Sequence, residues 1–211
     1  MVQHDPGKGR KVLCYERCGK RVLDVLLALL AMPFFFLMYP FVALAVKLDS
    51  TGPVMYRQER IGKDMKPFAI FKFRTMVADA ESYAAEMRKR SKGTFIQQEN
   101  DPRVTRAGAK LRKWSLDETP QLFNILRGEM SWVGPRPFVR DDLEGLSEEH
   151  LRRQLVKPGL TGWAQVNGRN SLTVEERQVF DLYYVDHLGF GLDIRIAVKS
   201  IGTVSKKEGA N

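Results

Sequence analysis

From Val25 to Val46 the chain runs for 22 residues without one charge, interrupted only by Pro33 and Pro40. At about 1.5 Å of rise per residue, such a run is long enough to cross a hydrocarbon layer about 30 Å thick as a straight helix. Two features oppose a simple crossing. Each proline removes a backbone donor and bends a helix. Basic residues also stand at both ends: Lys8, Arg10, Lys11, Arg17, Lys20 and Arg21 before the run, and Lys47, Arg57, Arg60 and Lys63 after it. Cationic flanks favour the cytoplasmic face, so both ends belong on one side of the bilayer. A re-entrant helix, hinged at Pro33 or Pro40 and leaving by the face it entered, fits this pattern better than a span, although a kinked spanning helix also tolerates both prolines. The run is too long for a secretory leader, and no small-x-small cleavage pattern follows it.

The remainder of the 211 residues has room for one globular domain of about 160 residues, enough for a real core. The expected division is an extension at 1–19, a re-entrant membrane helix at 20–48, a cytosolic catalytic domain at 49–204 and a polar tail at 205–211. The net charge of +9 calls for an anionic partner: lipid headgroups, nucleic acid or a phosphorylated substrate. Cys14 and Cys18 are the only cysteines and read as free thiols on the reduced side of the membrane. Their spacing places them on one helix face, but zinc needs further ligands, and His4, His150 and His187 are scattered.

The domain reads as α+β, with short strands among helices. Val54 to Ile61 and Pro67 to Met76 are the predicted strands, the second carrying Phe68, Ile70, Lys72 and Arg74 on one face. Predicted helices cover Asp79 to Arg90, Ala107 to Trp114, Pro120 to Arg127, Asp141 to Leu155 and Val174 to His187, with a loop from Ser91 to Arg103. From Asp193 onward, Ile194, Ala197, Val198, Ile201 and Val204 form one apolar stripe, which suits either a core-facing helix or one lying on a bilayer.

Chemistry concentrates between Arg112 and Pro137. Ser115-Leu116-Asp117-Glu118-Thr119-Pro120 has the form of a helix start, with Ser115 as N-cap and Glu118 in the capping-box position. The same two carboxylates, Asp117 and Glu118, can hold Mg²⁺ and offer an oxygen nucleophile to a phosphate. The readings are compatible, because a helix N-terminus is itself a phosphate site. Lys72 and Arg74, two apart on one strand face, would present two cations to a diphosphate, and the alternative is an ordinary solvated face. In Gly134-Pro135-Arg136-Pro137 two prolines stiffen the backbone around one guanidinium, which suits anion binding. Lys157 to Asn170 mixes glycines with Trp163 and ends near Arg169, a pattern for a turn, a short strand and an anion-binding loop.

Taken in order, Lys20-Arg21-x-x-Asp24, Gln58-x-Arg60-x-Gly62, Phe71-Lys72-Phe73-Arg74-Thr75-Met76, Leu116-Asp117-Glu118-x-Pro120-Gln121-Leu122-Phe123-Asn124, Gly128-x-Met130-Ser131, Gly134-Pro135-Arg136-Pro137, Pro158-Gly159-x-Thr161-Gly162 and Asn167-Gly168-Arg169 strongly resemble the bacterial sugar transferases called monotopic phosphoglycosyl transferases. The match runs from about Lys20 to Val204. The resemblance implies transfer of a sugar-1-phosphate from a UDP-sugar to a polyprenyl phosphate such as undecaprenyl phosphate, with release of UMP, at the cytoplasmic face of a bacterial inner membrane. It implies Asp117 as nucleophile, Glu118 as assistant to Mg²⁺, and Arg169 on the nucleotide diphosphate. Lys72, Arg112 and Arg136 are then the cations that neutralise the reacting phosphates, and Asp181 is a further candidate for the metal. Membrane phospholipids become the surface partner and nucleic acid is not expected; a homodimer stays open, as does the identity of the sugar. The chain departs from the family where a Ser-Pro pair is common mid-helix: Leu37 stands there, bracketed by Pro33 and Pro40. It also lacks a counterpart of the extra membrane-spanning domain of larger members, so a minimal catalytic form is expected.

Two rivals use the same residues. A non-catalytic, basic, membrane-anchored scaffold explains the charge and the anchor but not two carboxylates placed among cations. A Mg²⁺-dependent phosphohydrolase of lipid diphosphates would use the same charges with water as nucleophile.

Overall fold

The computed structural model describes residues 15–77, 80, 101–143, 146–168 and 171–206. A short π-helical stretch, Tyr15–Gly19, leads into α1, Lys20–Asp49, which is 30 residues and hence about 45 Å long. Pro33 and Pro40, where a kink was expected, both lie inside this one helix, which ends at neither of them. Its buried positions, Lys20, Asp24, Ala28, Phe35, Val42 and Val46, form one stripe along the whole length, while Leu30, Leu37, Phe41 and Leu48 on other sides are exposed. The packing of that stripe supports the turns where proline withholds a donor. In the middle, Phe35 stacks on Phe73 and meets Phe123 edge-on.

The domain holds both ends of α1. At the start, Arg21 donates to the carbonyls of Ile125 and Leu126, and Asp24 accepts from the Ser131 hydroxyl and the Trp132 amide. At the end, Asp49 accepts from the Ala107 amide at 2.6 Å. The Arg74 guanidinium donates to the carbonyls of Val46, Ser50 and Thr51. Cationic donors suit a helix C-terminus, whose last carbonyls lack intrahelical partners.

After α1, β1, Met55–Ile61, pairs antiparallel with β2, Pro67–Phe73, from Met55 opposite Phe73 to Ile61 opposite Pro67. The connecting turn places Asp64 and Met65 at positive φ. The second predicted strand therefore ends at Phe73; Met76 forms only an isolated bridge to Val104. Helix α2, Arg106–Lys113, is capped by Thr105, whose hydroxyl accepts from the Gly108 amide. A 3-10 turn, Leu116–Gln121, runs into α3, Leu122–Arg127. This corrects the single helix expected from Pro120 and the cap expected at Ser115. Ser115 is left-handed at φ 54° and makes no capping bond, and Thr119 instead donates back to the Leu116 carbonyl, closing a tight turn.

Strand β3, Ser131–Val133, pairs in parallel with β4, Gly159–Thr161. The crossover between them is the segment expected as one helix from Asp141 to Leu155. It is instead a 3-10 turn, Arg140–Leu143, then α4, Glu148–Leu151, and a second 3-10 turn, Arg152–Leu155. Ser147 starts α4 anew by accepting from the His150 amide. Helix α5, Trp163–Val166, follows β4. Helix α6, Val174–His187, keeps its predicted bounds and begins with a capping box between Thr173 and Glu176. Helix α7, Phe190–Lys206, starts three residues earlier than expected. Its apolar stripe does not face the core: Ile194, Val198 and Ile201 are exposed, whereas Asp193 and Ile196 are buried. Apart from Ala80, the helix predicted at Asp79 to Arg90 and most of the loop after it lie outside the described residues.

Two clusters make the core. One joins α1 to β2, α2 and α3 through Phe35, Ile70, Phe73, Leu111 and Ile125; the other joins β3 to α6 and α7 through Val133, Tyr184, Val185 and Ile196. The candidate site lies where the hairpin, the 3-10 turn and the loop after β3 meet.

Candidate active site

Lys72, near the end of β2, extends its ammonium to Glu118 Oε1 at 2.7 Å, and Arg136 reaches the same oxygen at 3.5 Å. Asp117 is buried on the same 3-10 turn. Arg112 arrives from the last turn of α2, its Nε donating to the Thr75 hydroxyl at 2.9 Å. That contact needs α2 close to the chain after β2, and Gly108 permits it: a Cβ there would lie 2.1 Å from the Thr75 carbonyl oxygen.

The loop carrying Arg136 is clamped by residues far from it in sequence. Arg60 of β1 donates to the Pro137 carbonyl at 3.1 Å, and Ile61 N donates to Phe138 O at 2.8 Å. Arg153 donates to the Arg136 carbonyl at 2.8 Å and lies over the Phe138 ring. Arg153 is in turn held by Asp181 of α6, whose Oδ2 accepts from Nε at 3.0 Å and Nη2 at 2.6 Å. Gly159 closes the other side. Its amide donates to the Pro135 carbonyl, and a Cβ on it would sit 2.0 Å from the Gly134 nitrogen, so β3 and β4 approach only because no side chain intervenes.

The electrostatics follow from burial. Asp117's carboxyl is pushed up, first by desolvation and then by the adjacent Glu118 charge, against the pull of Lys72, Arg112 and Arg136. Burial pushes the Lys72 ammonium down, while Glu118 beside it pulls it back up. A buried carboxylate ringed by cations and paired with a second acid is the arrangement expected of a reacting group.

Of the residues singled out in the sequence, Lys72, Arg112, Asp117, Glu118 and Arg136 gather around one cavity. Arg74 borders the same cavity, but it follows the strand end and its guanidinium donates to the carbonyls of Ser50 and Thr51 at the end of α1, whereas Lys72 pairs with Glu118. Asp181 borders the cavity, but its carboxylate is engaged by Arg153. Arg169 lies outside the described residues. Arg60 and Arg153 were not expected at the site; the Gln58-x-Arg60-x-Gly62 pattern pointed to the first, and no local signal pointed to the second. Among the described residues no group of three or more His, Cys, Asp and Glu side chains gathers to hold a metal. Asp117 and Glu118 alone fit a hard cation that completes its shell with water and substrate oxygens, which is how Mg²⁺ is commonly held.

The cavity measures about 1620 Å³ and reaches from these charges past Trp132 and Leu160 to α1 and α7.

Residues 15–207 match the family model described as bacterial sugar transferase. The chain belongs to this family. It is 39% identical over 190 residues to EpsL, an uncharacterized sugar transferase of Bacillus subtilis, covering 90% of this chain and 89% of that protein. It is 40% identical over 201 residues to the exopolysaccharide production protein ExoY of Sinorhizobium fredii, covering 91% and 88%. The UDP-glucose:undecaprenyl-phosphate glucose-1-phosphate transferase of Escherichia coli is 41% identical over 201 residues, covering 90% of this chain but only 41% of that longer protein. In this member of the family, the Asp117-Glu118 turn, Lys72 and the clamped Arg136 all fall inside the matched region.

Proposed function

We propose that the protein transfers a sugar-1-phosphate from a UDP-sugar to a polyprenyl phosphate, undecaprenyl phosphate among them, as an initiating membrane step of bacterial glycan assembly. The observation that carries the reading is a buried aspartate, Asp117, beside Glu118 and within the field of Lys72, Arg112 and Arg136, in a cavity that continues to a long apolar helix. An oxygen of the Asp117 carboxylate attacks the phosphorus that bears the sugar. The bond from that phosphorus to the bridging oxygen breaks, and UMP leaves with the electron pair. The lipid phosphate then attacks the same phosphorus, forming polyprenyl-diphosphate-sugar and returning Asp117 as carboxylate. Carboxylate and diphosphate repel, so Lys72, Arg112 and Arg136 lower the barrier by facing the charge that builds on the transferred and leaving groups. Mg²⁺, held by Asp117 and Glu118, would supply further neutralisation.

For the anchor we infer a re-entrant helix on the cytoplasmic face of the inner membrane. The basic residues on both sides of the apolar run support it, as does the packing of the start, middle and end of α1 on one domain. A helix crossing the bilayer would carry its middle away from that domain. The exposed stripe of α7 adds a second surface suited to the bilayer boundary.

The decisive assay is UMP release across a panel of UDP-sugars, with and without polyprenyl phosphate. Multiple turnover only with the lipid is expected, together with a phosphosugar mass adduct on Asp117 when lipid is withheld. Sustained release without lipid would mean a hydrolase. Full turnover by Asp117→Asn with loss in Glu118→Gln would reverse the assigned roles. For topology, Cys18, which is exposed, and a cysteine introduced at Thr51 should both be labelled from the cytoplasmic side alone; opposite sides would mean a spanning helix.

A further inference from the structure

We infer that the hydrocarbon chain of the lipid acceptor lies in the apolar arm of the cavity, between Leu23 and Leu27 of α1 and Phe190, Ile194, Ala197 and Ile201 of α7. The inference rests on the reaction proposed above and locates its second substrate.

All six residues border the same cavity as Asp117 and Glu118. Phe190, Ile194, Ala197 and Ile201 follow one another at the spacing of a single helix face, over about 16 Å of axis. Leu23 and Leu27 stand one turn apart on α1. The two helices are pinned to each other where they converge: Lys20 Nζ donates to Asp193 Oδ2 at 2.5 Å, and Tyr15 meets Phe190 edge-on. The walls of this arm are apolar and open, with Phe190 52%, Ile194 48% and Ile201 70% exposed.

The polar side chains that α1 and α7 turn to this cavity, Lys20, Asp24, Asp193 and Ser200, are engaged in hydrogen bonds within the protein. Asp193 accepts from Lys20, Tyr15 and Tyr184, and Asp24 accepts from Ser131 and Trp132. Ser200 donates to the Ile196 carbonyl and shares a hydrogen bond with Thr161. The arm thus presents hydrocarbon to an occupant, whereas the other end presents Lys72, Arg112 and Arg136. A ligand with a phosphate head and an apolar tail matches that gradient; a sugar nucleotide, polar throughout, matches only the charged end. Size agrees, since about 1620 Å³ exceeds the roughly 300–1,000 Å³ typical of a pocket for one compact ligand. Leu26 and Leu30 of α1, outside the cavity lining, are 58% and 77% exposed and suit contact with bulk lipid instead.

The test uses the full chain in bilayer nanodiscs and a polyprenyl phosphate carrying a diazirine in its first isoprene units. Irradiation should label peptides containing Leu23, Leu27 and Phe190 to Ile201, and excess undecaprenyl phosphate should suppress the label while phosphatidylglycerol does not. Label confined to Leu26, Leu30 or other residues outside the cavity, or label insensitive to that competition, would overturn the inference. Independently, Ala197→Trp should collapse the preference for a long-chain over a short, water-soluble prenyl phosphate by tenfold or more. Val179→Trp, on the exposed side of α6, controls for added bulk. An unchanged chain-length preference in Ala197→Trp would also overturn it. Wild-type protein that forms the Asp117 adduct but fails these tests refutes the arm alone; failure to form the adduct refutes the parent reading.

Discussion

Arg153 and Asp181 provide the sharpest test of how the site is held. Both are almost fully buried, at 2% and 4% exposure, and Arg153 spends a further donor on the Arg136 carbonyl. Removing one member of a buried ion pair costs about 3–5 kcal/mol, because the other charge is left without compensation. The two single variants should not be equal. Arg153→Met strands a carboxyl that burial already pushes up and that can take a proton, whereas Asp181→Leu strands a guanidinium that stays charged. Asp181→Leu should therefore cost the upper part of that range; Arg153→Met, in which proton uptake and the remaining Arg177 relieve the carboxyl while the Arg136 carbonyl loses its donor, should cost the lower. At about 2–4 °C per kcal/mol for a chain of this length, the expected falls in Tm lie between about 6 and 20 °C. Replacing both by apolar residues removes the stranded charge, leaving mainly the unpaired Arg136 carbonyl, worth about 1–3 kcal/mol. The double variant should thus unfold at a higher temperature than Asp181→Leu alone, yet remain weak in UMP release because the Arg136 carbonyl has lost its own donor, although Arg60 and Ile61 still hold the loop beyond it. Thermal unfolding of the detergent-solubilised protein, paired with the UMP assay, reads both effects. A double variant no more stable than Asp181→Leu would refute the ion-pair argument, and one with restored activity would refute the positioning role.

Other outcomes follow from individual contacts. Asn124 takes the Phe71 amide and donates to the Ala69 carbonyl along β2, so Asn124→Leu should destabilise the protein by about 2–4 kcal/mol, read as a lower Tm. Gly108→Ala should force α2 off the Thr75 carbonyl, lowering stability by about 1–3 kcal/mol and slowing adduct formation as Arg112 loses Thr75; a Tm equal to wild type would contradict that close approach. In the metal-free protein burial and Glu118 raise the Asp117 carboxyl, so the carboxylate infrared band lost in Asp117→Asn should appear on titration at a pH above that of an ordinary aspartate; a band already complete at the ordinary value would count against that environment. Chelation with EDTA should stop turnover and leave the circular dichroism spectrum unchanged, with Mg²⁺ restoring the rate.

What was legible in the sequence is what local chemistry controls. The absence of charge from Val25 to Val46 dictates a long apolar helix whatever surrounds it, and the hairpin strands and α6 declare themselves by alternation and by helical period within one short window. Asp117 and Glu118 were visible because two acids beside two bases is unusual in so few residues, and because the motifs around them keep a recognisable order. Tertiary structure alone decided the rest. Lys72 and Arg74 are two apart in the chain, yet one pairs with Glu118 and the other with the end of α1, since β2 ends between them. Asp181 and Arg153 are separated by 28 residues, and nothing in either neighbourhood announces that together they hold the backbone of Arg136. The stripe on α7 was equally readable as core or surface, because periodicity records that a face is apolar and not what covers it. Spacing reports which side chains share a face; which charges meet depends on where the backbone turns, and that is set by packing between distant segments.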